Sequence, residues 1–264
     1  MTRSLGGPGI VLALVLAEVA IGGVAVLWAA PLWGRVRIAF YKLMGVIFAT
    51  IGVLAWVSAR APLLDAPGAT SATRAAVALL AAFAAMTIAW AFALWIRGET
   101  VARWVGVASV PVGIAALVAL ASDPAAARAP AIAAFQLLAG ALFAGAVTDG
   151  LLLGHWYLVD RRLSREPLRL MNHLFLAGSV AAIASAFFAL GSGAGVAQET
   201  LSPLLGAGAL AAWLAIGLVV LCATIGLFIR ALIKEDSLQA ATGLFYLGVI
   251  MGVSAEFAAK VRFF

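Results

Sequence analysis

The chain has 264 residues, of which 65% are apolar and only 11% charged. About a quarter of a soluble domain's residues are charged, so a water-soluble globular fold is excluded. The net charge of +6 does not point to nucleic acid. Its lysines and arginines sit in short segments between apolar runs, where membrane topology and anionic lipid head groups account for them.

Runs of about 20 apolar residues recur along the chain, and each is long enough to cross a hydrocarbon core of about 30 Å as a helix. With no water in that core, the backbone must satisfy itself, which a helix does. A membrane barrel would show segments of about ten residues alternating in polarity, and the Ala, Leu and Gly runs do not alternate. The expected fold is all-α: a single helical domain over residues 1–264, a polytopic integral membrane bundle of eight transmembrane helices.

The first predicted span covers 10–30. Arg3 precedes it, as in a signal peptide, but Glu18 interrupts it and it runs on to about Leu27, beyond a usual signal core, so it is read as a retained helix. Spans 39–58, 75–96 and 103–121 follow. The fifth, 131–157, carries Asp149 and ends in Gly154-His155-Trp156-Tyr157. The sixth, 173–191, opens at His173, with Gly191-Ser192-Gly193 read as its end. The seventh, 204–229, contains the single cysteine, Cys222, and the eighth, 240–258, contains Glu256 and is followed by Lys260. The longest connections, 59–74 and 192–203, hold Pro, Gly, Ser and Thr, as turns do.

Basic residues set an expected orientation. The loops after spans 1, 3, 5 and 7 hold 11 Lys and Arg against 6 on the opposite side. Positive-inside bias then puts both termini outside and the 5–6 loop, with Arg161, Arg162, Arg165 and Arg169, in the cytoplasm of a bacterial-type inner membrane. Small residues recur at helical spacing, including Gly248-Val-Ile-Met-Gly252. They are read as close helix packing, with a dimer contact through Gly248 and Gly252 as the other reading. A four-plus-four repeat is also suggested, pairing 10–58 with 131–191 and 75–121 with 204–258.

One cysteine excludes an internal disulfide, a covalently attached haem and a thiolate metal cluster, and Cys222 is read as a small packing residue. There is no HExxH, no glycine-rich phosphate loop and no GxSxG elbow. What remains is the ionisable set inside the spans, since such groups are costly in a bilayer. Glu256 and Lys260 are one turn apart in the favoured order for an intrahelical pair, read as anchoring the outer end of the last helix. Glu18 has no local partner and is expected to face the bundle and bond another helix, or to stay protonated. Asp149 lies about 9 Å deeper than His155 and roughly 120° round the helix, so it does not bond that histidine; Thr148 shares the histidine's face. Glu18 and Asp149 are the candidate proton relays.

The only two histidines, His155 and His173, flank one basic loop almost symmetrically. In an antiparallel hairpin they would reach a common depth, suited to ligating a haem iron or flanking a quinone. Packed helices lie 8–10 Å apart, so haem requires the hairpin to splay, whereas a quinone needs only an imidazole, an acid such as Asp149 or Tyr157, and an apolar tunnel. Trp156 and Tyr157 could pack on such a cofactor, and Arg169 with its neighbours could pair with haem propionates.

In size, helix count and histidine pair the chain resembles the eight-helix membrane anchors of respiratory complexes, which hold haem b or a quinone. The resemblance covers architecture only, with no family motif. The function expected is a membrane subunit for electron transfer, non-catalytic by itself, binding haem b or quinone near the cytoplasmic side among lipids and partner redox subunits. Two other readings stand beside it: a proton-coupled small-solute permease using Glu18 and Asp149, and a structural assembly subunit.

Overall fold

A computed structural model describes residues 8–65, 69–96, 99–123, 129–160, 163–191 and 207–263. They form eight α-helices: α1 (Pro8–Ala29), α2 (Ile38–Leu64), α3 (Ser71–Ile96), α4 (Glu99–Ala121), α5 (Pro130–Val159), α6 (Glu166–Gly191), α7 (Ala207–Lys234) and α8 (Leu238–Phe263). All eight are long and apolar enough to span a membrane.

Each expected span has its helix, and most helices run further than the apolar stretch. The reason is that polar flanks continue a helix when a good start is present. α6 begins at Glu166-Pro167, seven residues before the expected start at His173; proline needs no amide partner in a first turn and its φ suits one. α5 likewise has Pro130 in its first turn. α2 continues through Pro62 to Leu64. The 192–203 connection and the first residues of the seventh expected span lie outside the described residues, as do Arg3, Arg161 and Arg162.

The helices form two rings of four. α1 packs on α2, α2 on α3, α3 on α4 and α4 back on α1; α5 to α8 repeat the same closure. The rings meet through α1 and α5, with α8 also touching α1 and α4 touching α5. This arrangement is that of a duplicated unit in which α1 corresponds to α5 and α4 to α8, the pairing suggested by the sequence. Side-chain pairs carry it further. Gly113 of α4 lies on Ile21 of α1, and Gly252 of α8 lies on Phe143 of α5. At the same spacing along all four helices, Gly106 faces Trp28, and Phe245 faces Gly150. The second pair is size-swapped: the large ring comes from α1 in one half and from α8 in the other.

α1 is apolar on all sides and is buried over most of its length, with α5 next. A helix with no polar face belongs at the centre, and glycine lets these two approach closely. A Cβ on Gly22 would stand 1.8 Å from the Ala141 carbonyl oxygen, and one on Gly145 would stand 2.2 Å from the Gly22 carbonyl carbon. Gly248 and Gly252 face Val147, Phe175 and Phe143 inside the bundle. Their spacing therefore serves internal packing, and the dimer reading does not hold.

One end of the bundle gathers the charged hairpin loops. Gly34 (φ 81) turns the chain between α1 and α2, where a side chain would be strained. Arg37 pairs with Asp160 at 3.0 Å and Arg35 with Glu166 at 3.0 Å, joining the two halves, and Arg165 reaches Asp236 at 2.5 Å. At the opposite end Thr73 donates to Asp123 at 2.6 Å, fastening the start of α3 to the end of α4.

Candidate functional site

Two groups of buried ionisable residues lie on the α1–α5 seam, toward opposite ends of the bundle. The first is an ion cluster. Lys260 Nζ lies 2.6 Å from Glu18 Oε1 and 3.0 Å from Glu256 Oε2, and all three residues are nearly inaccessible. Glu18 and Glu256 are also close enough to interact directly. Gly140 on α5 makes the room: a Cβ there would stand 2.5 Å from Glu18 Oε1 and 2.8 Å from Glu256 Oε2. Helical side chains lean toward their own N-terminus, so Lys260 reaches back into the bundle from α8. The expected Glu256–Lys260 pair exists near the end of α8, and it is also a buried junction with α1 through Glu18. The bond from Glu18 to another helix is also as expected, and Lys260 is its partner.

Beside this cluster is a small cavity of about 20 Å³ between α5, α6, α7 and α8, bordered by Gln136, Ser185, Glu256 and Lys260. It is of the size that holds one water. Gln136 Oε1 is buried there and accepts no hydrogen bond among the described residues, while the Ser185 hydroxyl donates to Ala182. Two carboxylates and one ammonium would together carry a net negative charge, and isolated buried charge costs several kcal/mol.

The second group lies nearer the charged loops. Asp149 follows Gly145 by one turn on α5, so it stays beside α1, nine residues or about 14 Å along the axis from Gly140. It is 1% exposed, and neither carboxylate oxygen has a hydrogen-bond donor among the described residues. It acts electrostatically on Tyr41 of α2, whose buried hydroxyl is also unpartnered. Tyr41 belongs to a chain of rings: Trp90 to Trp28 at 5.7 Å, Trp28 to Tyr41 at 5.7 Å, Tyr41 to Phe40 at 5.9 Å and Phe40 to Trp156 at 5.8 Å. The indole N–H groups of Trp28, Trp90 and Trp156 are buried without acceptors. Buried polar groups are ordinarily bonded. Trp28, Tyr41, Trp90 and Trp156 thus place four unmet donors along one aromatic chain, with the unmet acid of Asp149 in electrostatic range of Tyr41.

An apolar slot reaches the same level. It has a volume of about 170 Å³ and runs between α1, α4, α5 and α6, bordered by Val26, Ala29, Ile114, Leu138, Leu142 and Leu174. Gly22 lies opposite Ala141 and Gly145, so Val26 and Ala29, one and two turns on, stand level with Asp149. Ala29 and Ile114 on its border are exposed on the outer surface.

The histidines are placed differently from the ionisable residues. His155 and His173 are both exposed on the bundle surface, and neither borders the cavity or the slot. Because α6 starts early, His173 lies about 10 Å inside its helix whereas His155 is about 6 Å from the end of α5. The common depth expected from the loop midpoint is therefore only approximate. Tyr157 is buried and donates to the Ser164 carbonyl, pinning the hairpin loop. Arg169 is exposed, and Thr148 donates to Ala144 in its own helix. Cys222 is free and buried, with its thiol toward the Gly248 carbonyl. No group of three or more metal-binding side chains occurs among the described residues.

Tyr41, Trp28 and Trp90 escaped sequence reading. Aromatics near helix ends look like an interfacial belt, and only packing brings them to Asp149. Compared with known proteins, the chain matches no family model and no curated sequence.

Proposed function

We propose that this chain is an integral membrane subunit of an electron-transfer complex and that it binds a quinone at Asp149, toward the cytoplasmic side of a bacterial-type inner membrane. The carrying observation is the pairing of an unsatisfied acid and unsatisfied aromatic donors with an apolar slot at one level. A quinone head group accepts hydrogen bonds, its reduced form also donates them, and its chain is apolar. Tyr41 and the indole N–H groups of Trp28 and Trp90 would bond the ring oxygens. Asp149 would accept the hydroxyl of the reduced form and hold its proton as electrons leave to partner subunits. The slot would hold the first part of the tail, admitted sideways from lipid.

Haem b has a different basis, His155 and His173 alone. Since both lie on the outer surface, haem would be held between this chain and a partner subunit, and the absorption spectrum of the assembled complex tests for it. The duplicated halves with ionisable groups at their junction favour a second reading, a proton-coupled solute carrier.

Titrating the purified protein in lipid nanodiscs with a short-chain quinone, read by quenching of tryptophan fluorescence, tests the main reading. Saturable quenching is expected, diminished in Trp28→Phe and Trp90→Phe. Asp149→Asn is expected to weaken binding of the reduced form by about 5- to 150-fold, as the 1–3 kcal/mol cost of leaving a buried polar group unsatisfied implies. Quenching that does not saturate, or that is unchanged in both Asp149→Asn and Tyr41→Phe, refutes it. A carrier would instead discharge an imposed pH gradient when its solute is added to proteoliposomes.

A further inference from the structure

The ion cluster at the far end of the α1–α5 seam plays no part in the quinone reading. Its composition is Glu18 from α1, Glu256 and Lys260 from α8, and space supplied by Gly140 of α5. Glu256 also acts electrostatically on the Cys222 thiol of α7. Gln136 of α5 and Ser185 of α6 border the neighbouring cavity, and α7 contributes Ala215, Ile216 and Val219 there, none of them titratable. With every group ionised, Glu18, Glu256 and Lys260 together carry one negative charge.

We propose that Glu18 and Glu256 share one exchangeable proton beside the fixed ammonium of Lys260, and that this proton passes to and from water in the cavity next to Gln136. Three observations support it independently of the quinone site. The two carboxyl groups converge on the one Lys260 ammonium, at 2.6 and 3.0 Å, and Glu18 Oε2 has no donor among the described residues; like charges at that approach favour keeping one proton between them. The cavity is of the size that holds one water and borders Glu256 and Lys260. Gln136 Oε1 is unpartnered there, an acceptor positioned for the water or hydronium that takes the proton. In the exchange, the O–H bond of the carboxylic acid breaks, the proton joins the cavity water, and the carboxylate left behind is held by Lys260. Lys260 sets the count: it neutralises one carboxylate, and the proton neutralises the other.

The test uses the full chain in lipid nanodiscs, with infrared difference spectra following the C=O stretch of protonated carboxylic acids as pH is raised. One titrating acid is expected from this cluster, lost in both Glu18→Gln and Glu256→Gln because either change leaves one carboxylate for Lys260. Lys260→Gln is expected to double that signal, since two carboxyls without a cation both hold protons. Asp149→Asn is expected to leave it in place. A signal removed by Asp149→Asn and kept in Glu18→Gln overturns the proposal, as does an unchanged signal in Lys260→Gln. The wild-type protein supplies one more arm: a titration displaced on replacing potassium with sodium would assign the site to a metal cation and overturn the shared proton. Because Lys260→Gln and the sodium comparison leave Glu18 in place, a folding failure of Glu18→Gln does not remove the test.

Discussion

Gly145→Ala is expected to be the most informative single-methyl change in this protein. The new Cβ would stand 2.2 Å from the Gly22 carbonyl carbon, 2.4 Å from the Gly23 nitrogen and 2.6 Å from the Gly22 oxygen. All three are backbone atoms of a central helix, so no side chain can swing aside. Reaching ordinary contact at 3.4 Å requires α1 and α5 to separate by about 1.2 Å. Overpacking in a well-filled core costs about 1–3 kcal/mol, and a rigid backbone obstacle puts this site at the upper end. Alanine offsets about 1 kcal/mol of that through its helix propensity, for a net loss of about 2 kcal/mol. Gly217→Ala isolates the propensity term, because Gly217 is in mid-helix with nothing within 4 Å of its added Cβ; it is expected to stabilise by up to about 1 kcal/mol. Reversible denaturant-driven unfolding of the two variants and wild type in detergent micelles measures both. If Gly145→Ala is as stable as wild type, or the two variants shift alike, the close α1–α5 approach is wrong.

Lys260→Met should destabilise by about 3–5 kcal/mol, the usual cost of stranding buried partners, and Glu18→Gln combined with it should cost less than the two changes added together; the same unfolding assay reads the coupling, and strict additivity counts against the junction. Gly150→Ala is expected to cost about 1–3 kcal/mol because its Cβ would lie 2.3 Å from the Phe245 ring. Phe245→Leu should relieve part of that loss when the two are combined, and no relief would mean that the rings do not face each other. His155→Ala and His173→Ala should each change the stability of the isolated chain by less than about 0.5 kcal/mol, as exposed positions do. A large loss in either would show that the imidazole is bonded inside the bundle.

The eight helices were readable from the chain because long apolar runs have only one way to satisfy their backbone away from water. Their ends were less readable: α6 starts seven residues early because Glu166-Pro167 opens a helix from polar residues that apolarity does not mark. Glu18, Asp149, Glu256 and Lys260 also stood out in the sequence, since ionisable residues in apolar runs are conspicuous whatever surrounds them. Sequence alone likewise predicted the Glu256–Lys260 pair, four residues apart on one helix. What it lacked was the side each group faces. Lys260 meets Glu18 across 242 residues of chain only because α8 packs on α1 beside a glycine. The histidines show the converse: even spacing about a loop sets an approximate depth along the helices but not rotation about them, and rotation turned both imidazoles outward. Tyr41, Trp28 and Trp90 reach the neighbourhood of Asp149 by tertiary packing alone. Local composition decides which segments must be helical, whereas the shapes of distant side chains decide which faces meet, and the candidate sites lie where those faces meet.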